Sequence, residues 1–491
     1  LWESEENRAK TVALWGKLAE RYKDEPWMGG YDLLNEVNWN LPGGTMLRTL
    51  YEEITTEIRK VDTKHIIFIE GNWFANDFTG LTPAWDSTMV SSFNKYWSVN
   101  DQASIQWVLD RREAENVPLW MGEAGENSNT WFQEAISLFE KNGIGWSWWP
   151  MKRIETTVSP YSIVFSDGYK NILEYWRGNV AKPSEADAFA AMMELANNTA
   201  SDKCSYHKDV HDAQFRQITT DETKPFSQQK IPGTIHMSEY DLGKNNFAYY
   251  DIDAANYQLS TNQFQAWNSG WTYRNDGVDI EKNTDDVNSN GYHVGFTNKG
   301  EWINYTVQIE ESGVYRLEAR IAGENAGGQF HVSLNQEAIT TTQTTEATGG
   351  WSTFTTHTIN DIALEAGTQV ITLNFVGDVS FNISSITFSK TGDAGSLDAT
   401  ALNGELGIDE SSIEITINQD ILESSLTDSK DGFSVTVNGI AQPISAISLA
   451  DAKKRTILLD VDRSFLSSDE IKVSYNGTTV STISGKKLTA F

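Results

Sequence analysis

The sequence contains very little cysteine, few basic residues and no long hydrophobic segment. Its 491 residues include a single cysteine, Cys204, so the chain cannot form an internal disulfide. The strongest apolar run, at residues 65–69, has the length of a β-strand and falls far short of the ~18 residues that a membrane-spanning helix requires. The sequence therefore gives no sign of a disulfide-stabilised domain, and it excludes a transmembrane helix.

Basic residues are outnumbered by acidic ones, 38 against 68, which gives a formal net charge of −30 at pH 7. A surface this negative repels phosphate groups, so we expect neither nucleic acids nor anionic membranes as partners. The first residue is Leu1 rather than Met, and no signal peptide is visible. We therefore expect the chain to begin inside a domain, with its true N-terminus missing.

Tryptophan, by contrast, is abundant and unevenly distributed. Fourteen of the 18 tryptophans precede residue 177, and the other four lie between residues 267 and 351. Aromatic rings provide large flat contact surfaces, which suit the faces of sugar rings. The last 140 residues contain none, so the chain divides into regions of different composition.

Residues 1–200 alternate helical and strand patterns. Apolar residues recur at helical spacing at Val12, Trp15, Ala19 and Tyr22, and again at Leu47, Leu50, Ile54 and Ile58. Five short apolar runs separate such helices, at residues 31–34, 66–69, 89–90, 117–120 and 144–146. Thr130 and Gln133 have the spacing of a capping box, which predicts the start of a further helix. Strands that alternate with helices predict βαβ units and a parallel sheet.

A complete (β/α)8 barrel needs about 250 residues, so we predict a partial TIM barrel over residues 1–205, without its first three strands. Residues 206–230 are polar and lack periodicity, which predicts a linker. From residue 231 the apolar period is two, and Asn-Gly and Gly-Gly pairs mark turns. We predict a β-sandwich over residues 231–390 and a second, smaller β-sandwich over residues 395–491.

Candidate catalytic residues follow the predicted parallel strands, where a (β/α)8 barrel carries its functional side chains. These residues are Asn35 and Glu36 after the first run, Asn94 and Tyr96 after the third, Glu123 after the fourth and Trp149 after the fifth. Two carboxylates among amides and aromatic rings suit glycoside hydrolysis, in which one carboxyl protonates the leaving oxygen while the other attacks or activates water. A glutamate at a strand end can also be simply solvated, so the spacing alone leaves both interpretations open.

Three segments in a characteristic order give the first resemblance. They are Tyr31-Asp32-Leu33-Leu34-Asn35-Glu36, Gly122-Glu123-Ala124-Gly125 and the Trp-rich residues 143–152. Over roughly residues 1–200 the sequence resembles glycoside hydrolase family 5, a family of retaining (β/α)8 glycosidases. The resemblance implies that Glu36 is the acid/base and Glu123 the nucleophile. It also implies that Asn35 binds the sugar 2-hydroxyl and that Trp149 forms the floor of the −1 sugar subsite.

The sequence departs from this family at two places. The family usually has His-x-Tyr after its sixth strand, whereas this sequence has Asn94-Lys95-Tyr96. Tyr96 can still bind the nucleophile, while the contact of the histidine with the sugar is lost or altered. The family's first three strands, with an arginine that supports the nucleophile, have no counterpart here. An incomplete barrel has open edges, so a non-catalytic polysaccharide-binding protein is the alternative function.

A second resemblance covers residues 231–390. Five segments, at residues 231–235, 273–280, 291–295, 300–302 and 348–351, occur in the order of a family 6 carbohydrate-binding module. In that family a sugar lies between two aromatic rings, with an asparagine from the last loop. The resemblance places Tyr292, Trp351 and Asn382 in these roles. The alternative is that both rings belong to the core, but the adjacent glycines favour exposed loops.

Cofactors and the C-terminal region give weaker signals. The module's structural calcium usually involves a Glu-x-Glu pair, where this sequence has His236 and Ser238, so calcium stays open there; no cofactor is implied for catalysis. His207 and His211 have metal-ligand spacing without a third ligand, and we expect Cys204 to be an inert thiol. Residues 395–491 resemble immunoglobulin-like bacterial sandwich repeats of secreted proteins, which suggests a spacer or docking role.

These resemblances together imply a secreted or cell-surface retaining β-glycanase of the endo-β-1,4-glucanase type, with β-glucan as its partner. The binding module would raise the local concentration of substrate at the enzyme. The same chemistry on β-1,3-glucan or β-mannan stays open, because the shape of the sugar subsites depends on loops that the sequence does not define.

Overall fold

The computed structural model describes residues 1–252, 267–427 and 430–491. The chain folds into two compact units, of which the first comprises Leu1–Thr219 and the second begins at Thr220 and extends to Phe491. In these described parts of the chain, no helix is both long and apolar enough to cross a membrane.

The first unit contains eight helices and eight strands among its described residues. Its helices are α1 (Glu5–Tyr22), α2 (Thr45–Arg59), α3 (Asn72–Ala75), α4 (Gln102–Glu115), α5 (Asn129–Lys141), α6 (Asp167–Trp176), α7 (Glu185–Asn198) and α8 (Lys208–Gln214). Its strands are β1 (Gly30–Asp32), β2 (Ile66–Glu70), β3 (Met89–Lys95), β4 (Leu119–Ala124), β5 (Gly145–Trp146), β6 (Lys152–Ile154), β7 (Tyr161–Ile163) and β8 (Ser205–Tyr206).

Strands β1 to β5 form one parallel sheet in chain order, so that β1 and β5 are its two edges. The sheet is curled, as in part of a barrel, and the predicted partial barrel is confirmed. Each of the five predicted apolar runs overlaps one of these strands. Strands β6, β7 and β8 form a separate small sheet.

Helix α2 shows why the helical periodicity was informative. Leu47, Leu50, Ile54 and Ile58 are all fully buried on one face, as their spacing predicts. Helix α5 begins earlier than the capping-box pattern predicts. Ser128 is its N-cap, and the hydroxyl of Ser128 accepts a hydrogen bond from the backbone N–H of Trp131 (3.2 Å).

The segment predicted as a linker, residues 206–230, contains regular structure in both units. Helix α8 packs against α5 of the first unit, where Asn129 donates a hydrogen bond to Asp209 (2.9 Å) and both side chains are buried. In the second unit, a strand at Gln229–Ile231 pairs with Val307–Ile309. Helix α8 has only seven residues, too few for a helical period to be recognised in the sequence.

The described residues of the second unit form two β-sandwiches. The strands of the first are β9 (Gln229–Ile231), β10 (Gly233–His236), β11 (Tyr249–Tyr250), β12 (Ile280–Lys282), β13 (Tyr292–Val294), β14 (Trp302–Ile309), β15 (Gly313–Gly323), β16 (Gln329–Leu334), β17 (Glu337–Ala338), β18 (Gln343–Thr344), β19 (Gly350–Leu364), β20 (Gly367–Phe375) and β21 (Asn382–Gly392). The strands of the C-terminal sandwich are β22 (Ala401–Leu406), β23 (Ser412–Ile417), β24 (Phe433–Val437), β25 (Ile440–Gln442), β26 (Ile444–Leu449), β27 (Thr456–Val461) and β28 (Ile471–Tyr475).

Both predicted sandwiches are confirmed. In the first, one sheet has the order β12-β13-β21-β15-β19, and β10 also pairs with β21. The other sheet has the order β11-β14-β20-β16-β17; in addition, β9 pairs with β14 and β18 pairs with β16. In the C-terminal sandwich, β22-β23-β27-β26 faces β25-β24-β28. Alternate residues face each core, as Leu317, Ala319 and Ile321 do in β15.

Arg274 is a fully buried cation within the first sandwich. Its Nε and Nη2 atoms donate to Oδ2 of Asp276 at 2.9 and 2.6 Å. Nη2 also donates to the carbonyl oxygen of Asp241 (3.2 Å), and Nη1 donates to that of Tyr240. The guanidinium lies 3.5 Å from the centre of the Tyr240 ring. Removing the arginine would leave the charge of Asp276 buried without this cation, and the two carbonyl oxygens without this donor.

We predict that Arg274→Met lowers the free energy of unfolding of the second unit by about 3–5 kcal/mol, because Asp276 would remain as a buried charge. Urea denaturation of the full chain measures the change. The matched control is Arg316→Met, whose partly exposed pair with Glu318 contributes less than about 1 kcal/mol. Equal losses in the two variants would contradict the prediction.

Candidate functional site

The candidate site lies at the C-terminal edge of the parallel sheet. Glu36 follows β1, and Glu70 is the last residue of β2. Asn94 and Glu123 are the next-to-last residues of β3 and β4. The register pairs Asn94 with Glu123 directly across β3 and β4. Since parallel strands all end at the same edge, these four side chains are brought to one place.

Glu36 is fixed by hydrogen bonds at both its backbone and its side chain. Its N–H donates to Oε2 of Glu70 (2.6 Å), and its Oε1 accepts a hydrogen bond from Nδ2 of Asn94 (2.8 Å). Its backbone has φ 46°, in the left-handed region that a residue with a side chain seldom adopts. A strained backbone with two fixed contacts is typical of a functional position.

Glu123 is held by Tyr96, whose hydroxyl donates to Oε2 of Glu123 (3.0 Å). Burial raises the pKa of Glu123, and the charges of Glu36 and Glu126 raise it further, while the bond from Tyr96 opposes the shift. Burial, and then the negative charge of Glu123, raise the pKa of the Tyr96 hydroxyl. The hydroxyl therefore remains a proton donor to this carboxyl.

Two further carboxyls belong to the cluster, and the sequence argument missed them. Glu70 is 2% exposed, and burial together with the charge of Asp32 raises its pKa to about 8. Burial and the charge of Glu123 raise the pKa of Asp32 to about 6. Glu70 directly follows the apolar run at residues 66–69, so the rule that identified Glu36 also applied to it.

Two glycines beside Glu123 are required by close contacts. A Cβ atom on Gly122 would lie 2.5 Å from Oγ of Ser92 and 3.2 Å from Oδ1 of Asn94. A Cβ atom on Gly125 would lie 1.8 Å from the carbonyl oxygen of Trp149. The Gly-Glu-Ala-Gly sequence thus lets β4 pass closely between the side chains of β3 and the segment after β5.

The remaining predicted residues are placed at the same edge. The backbone N–H of Trp149 donates to the carbonyl oxygen of Ala124 (2.9 Å), and about half of the Trp149 side chain is exposed. Asn35 is exposed next to Glu36. The structure therefore brings two hydrogen-bonded pairs, Glu36 with Asn94 and Glu123 with Tyr96, to one edge of the sheet, with Trp149 beside them.

Three exposed aromatic side chains that the sequence pattern did not reveal lie beyond the ends of β1 and β2, one on the loop after β1 and two in the short segment α3 after β2. They are Trp39, Trp73 and Phe74. Asn72 joins the two loops, because its side chain accepts from the N–H of Trp39 (3.2 Å) and donates to its carbonyl oxygen (2.9 Å). Trp73 and Phe74 have φ values of 54° and 55°, a strained conformation that presents both rings to solvent.

The first sandwich of the second unit contains a cavity of about 630 Å³, which we call the Trp351 cavity. Trp351 and Phe296 line it and are 42% and 51% exposed. Asn382 lines it as well, and its Nδ2 donates to the carbonyl oxygen of Trp351 (2.8 Å). Glu324 accepts a hydrogen bond from Nε1 of Trp351 (3.0 Å), which fixes the orientation of the indole.

Tyr292, which the sequence predicts to bind sugar together with Trp351, does not line the Trp351 cavity. Tyr292 packs against the core of the sandwich and against Tyr273, with ring centres 4.5 Å apart. Its neighbour in β13, His293, lines the cavity instead. The aromatic side chain that accompanies Trp351 is Phe296, which the sequence argument missed.

His236 and Ser238 do not fit a calcium ion, which prefers six to eight oxygen ligands. The hydroxyl of Ser238 accepts a hydrogen bond from Asn290 (2.9 Å), and the ring of His236 offers nitrogen atoms only. Across the described residues, no group of three or more His, Cys, Asp or Glu side chains is arranged to hold a metal. His207 and His211 are among these described residues.

Two family models match the chain. Residues 2–153 match cellulase (glycosyl hydrolase family 5), and residues 270–390 match carbohydrate binding module (family 6). The chain therefore carries a family 5 segment followed by a family 6 module.

Among curated proteins, the chain is 25% identical over 209 residues to a beta-xylosidase of Phanerodontia chrysosporium, covering 34% of this chain and 44% of that protein. It is 33% identical over 129 residues to the clotting factor G alpha subunit of Tachypleus tridentatus, covering 26% and 18%. The chain thus spans less than half the length of these relatives.

Similar solved structures include endoglucanase Cel5A of Thermotoga maritima, at 22% identity over 30% of this chain and 60% of that one, with a TM-score of 0.27. They also include CsCBM6-3 of Clostridium stercorarium in complex with cellobiose, at 17% identity over 34% and 98%, with a TM-score of 0.24.

We predict that the stability of the first unit decreases as the pH rises from about 4.5 to about 8. The pKa of Glu70 is raised from 4.5 to about 8 in the folded chain, so the folded state binds this proton more tightly than the unfolded state. The contribution of protonated Glu70 to the free energy of unfolding is fully present below pH 4.5 and is lost as the pH rises through about 8. Asp32 acts in the same sense between pH 3.8 and about 6.

Urea denaturation followed by tryptophan fluorescence at pH 5 and pH 8 tests this prediction, since most tryptophans lie in the first unit. Glu70→Gln keeps an oxygen acceptor for Glu36 but cannot ionise, and we expect it to reduce the dependence on pH. Glu113→Gln, at a highly exposed carboxyl, is the control and should behave like the unmodified chain. Equal slopes in all three proteins would refute the role of Glu70.

Proposed function

We propose that this chain, whose residues 2–153 belong to glycosyl hydrolase family 5 and whose residues 270–390 form a family 6 carbohydrate-binding module, is a retaining glycoside hydrolase acting on β-glucan. The observation that carries the proposal is the pair Glu36 and Glu123, at two strand ends of one parallel sheet, each with its own hydrogen-bond donor. The charge of Glu36 acts on Glu123, so the two carboxyls belong to one electrostatic site.

In the proposed reaction Glu36 is the acid/base. Asn94 occupies Oε1 of Glu36, which leaves Oε2 to donate a proton to the leaving glycosidic oxygen. After the first product departs, the same carboxylate removes a proton from the attacking water. The bond from the backbone of Glu36 to Glu70 keeps the carboxyl in place during both steps.

Glu123 is the proposed nucleophile. Tyr96 occupies its Oε2, which leaves Oε1 to attack the anomeric carbon and form a covalent glycosyl-enzyme. Water then displaces Glu123, and the two inversions together retain the anomeric configuration. Asn35 would bind the 2-hydroxyl of the sugar, and Trp149 would support the sugar ring at the cleavage site.

The exposed rings of Trp39, Trp73 and Phe74 support a polymeric substrate. Sugar rings stack on aromatic faces through their apolar C–H surfaces. The backbone N–H of Phe74 donates to the carbonyl oxygen of Val37, directly after Glu36, so these rings lie on the loops that border the acid/base. We assign them to sugar residues beyond the cleaved bond.

Polysaccharide binding without hydrolysis is a second candidate function. The described sheet has five parallel strands with β1 and β5 as free edges, whereas a closed barrel of this class has eight. The Trp351 cavity does not depend on that sheet.

We predict that Glu123→Gln lowers hydrolysis of soluble β-glucan by at least about 10³-fold, since no covalent intermediate can form. Glu36→Gln should lower hydrolysis of natural substrates by about 10²–10⁴-fold and affect activated aryl glycosides much less, because good leaving groups need no acid. Release of reducing ends from β-1,4-glucan, β-1,3-glucan, β-mannan and xylan measures the rate and defines the linkage.

The control for this experiment is Glu113→Gln, at a highly exposed carboxyl of α4 that has no assigned role in the chemistry. Hydrolysis by the 491-residue chain that is lost in Glu123→Gln but kept in the control supports the hydrolase. Binding of β-glucan with no hydrolysis of any substrate supports the second candidate. Initial release of the inverted anomer, followed by NMR, would contradict the retaining mechanism.

The proposed role of the Trp351 cavity is to bind β-glucan. Trp351 and Phe296 offer exposed ring faces, and the buried amide of Asn382 can direct hydrogen bonds to sugar hydroxyls. A site of this size buries little surface, so the binding free energy should be about −4 to −6 kcal/mol. Because the substrate is a polymer too large to enter cells, we place the protein outside the cell or on its surface.

We predict that Trp351→Ala and Phe296→Ala each weaken binding of β-glucan oligosaccharides at least about tenfold. Tyr292→Leu should bind as the unmodified chain does, because this ring lies outside the cavity. Trp176→Ala, at an exposed tryptophan of the first unit, is the matched control. Isothermal titration measures affinity, and a thermal melt shows that each variant is folded. Binding lost in Tyr292→Leu but kept in Phe296→Ala would refute the assignment.

A further inference from the structure

The two sandwiches of the second unit are joined by a buried carboxylate. Glu337, at the start of β17 in the first sandwich, is 8% exposed. Its Oε1 accepts from the backbone N–H of Arg455 (2.7 Å) and the hydroxyl of Thr456 (3.1 Å), and its Oε2 accepts from the N–H of Lys454 (3.0 Å). All three donors belong to the C-terminal sandwich, and together they form a small anion-binding nest.

A buried cation in the same loop makes a second contact between the two sandwiches. Arg455 is 3% exposed, and its Nη1 donates to the carbonyl oxygen of Ala363, near the end of β19 in the first sandwich (3.0 Å). Its Nε donates to Asp420 (2.7 Å), which holds the guanidinium in position. In both contacts the first sandwich thus provides the acceptors and the C-terminal sandwich provides the donors.

Buried charges of this kind are costly unless every contact is made, and hydrogen bonds to ionised groups are the strong ones. A flexible spacer would leave the carboxylate of Glu337 and the loop amides at residues 454 and 455 in water. Here they are removed from water and paired with each other. The junction therefore has the properties of a folded core rather than those of a linker between independent domains.

We propose that residues 395–491 act as a clamp on the first sandwich, with Glu337 as the residue that the clamp recognises, so that the two sandwiches unfold as one cooperative unit. Strand β19 extends from Gly350, beside the Trp351 cavity, to Leu364, beside the clamp. At ~3.3 Å per residue, the twelve steps from Trp351 to Ala363 span about 40 Å. The clamp thus holds the first sandwich at the end opposite to its cavity and leaves the cavity free.

Hydrogen–deuterium exchange of the full chain, read by mass spectrometry, tests the clamp. Glu337→Gln changes only the first sandwich, yet it should accelerate exchange in β23 and β27 of the C-terminal sandwich at least about tenfold, because charge-assisted bonds are lost. The control is Glu310→Gln, at an exposed pair with Lys230 inside the first sandwich, which should leave β23 and β27 unchanged. Unchanged exchange in both variants, or acceleration confined to the residues around Glu337, would overturn the proposal.

The unmodified chain supplies a second measurement in case Glu337→Gln does not fold. Exchange measured at increasing urea gives the opening free energies of the slowest amides in β14 and β23. Equal values that fall together support the clamp, whereas two separate values overturn it. No carbohydrate is used in either measurement, so the outcome is independent of the proposed function.

Discussion

The hydrogen bond from the backbone N–H of Glu36 to the buried carboxyl of Glu70 is the contact on which the candidate active site depends. A left-handed backbone costs a residue with a side chain about 1–2 kcal/mol, and Glu36 has φ 46°. The carboxyl at the end of β2 compensates for this cost and fixes the turn after β1. The parallel register, which pairs Asp32 with Phe68, places Glu70 where it can do so. The position of the proposed acid is thus set by strand pairing.

The same sheet restricts what can surround this contact. Several carboxyls meet at one edge, and burial together with their mutual repulsion raises the pKa values of Glu70, Asp32 and Glu123. The cluster is tolerated because some members keep their protons and because neutral donors, Asn94 and Tyr96, bind the others. A site that holds exchangeable protons beside fixed carboxylates is suited to acid and base steps, and the cost appears as a stability that falls with rising pH.

Much of the fold follows from local patterns in the sequence. Helix α2 and the five parallel strands appear as apolar periods of 3.6 residues or as short apolar runs, because burial against the sheet acts on each element separately. Features that depend on contacts between distant residues are not visible in this way. Helix α8 is recognisable only through its packing on α5, and the role of Glu337 depends on amides more than a hundred residues away.

The candidate sites show the same division. Glu36 and Glu123 could be found because strand ends are visible in sequence, and Glu70 was missed although it satisfies the same rule. In the second unit, Tyr292 precedes Val294 by two residues, and Val294 is buried in the core. Strand alternation therefore turns Tyr292 toward the core as well, whereas Phe296 lies beyond the end of β13 with φ 50° and is exposed. A period of two alone places Phe296 on the same face as Tyr292 and Val294, so Phe296 is distinguished only by the end of β13 at Val294, which the sequence pattern does not define.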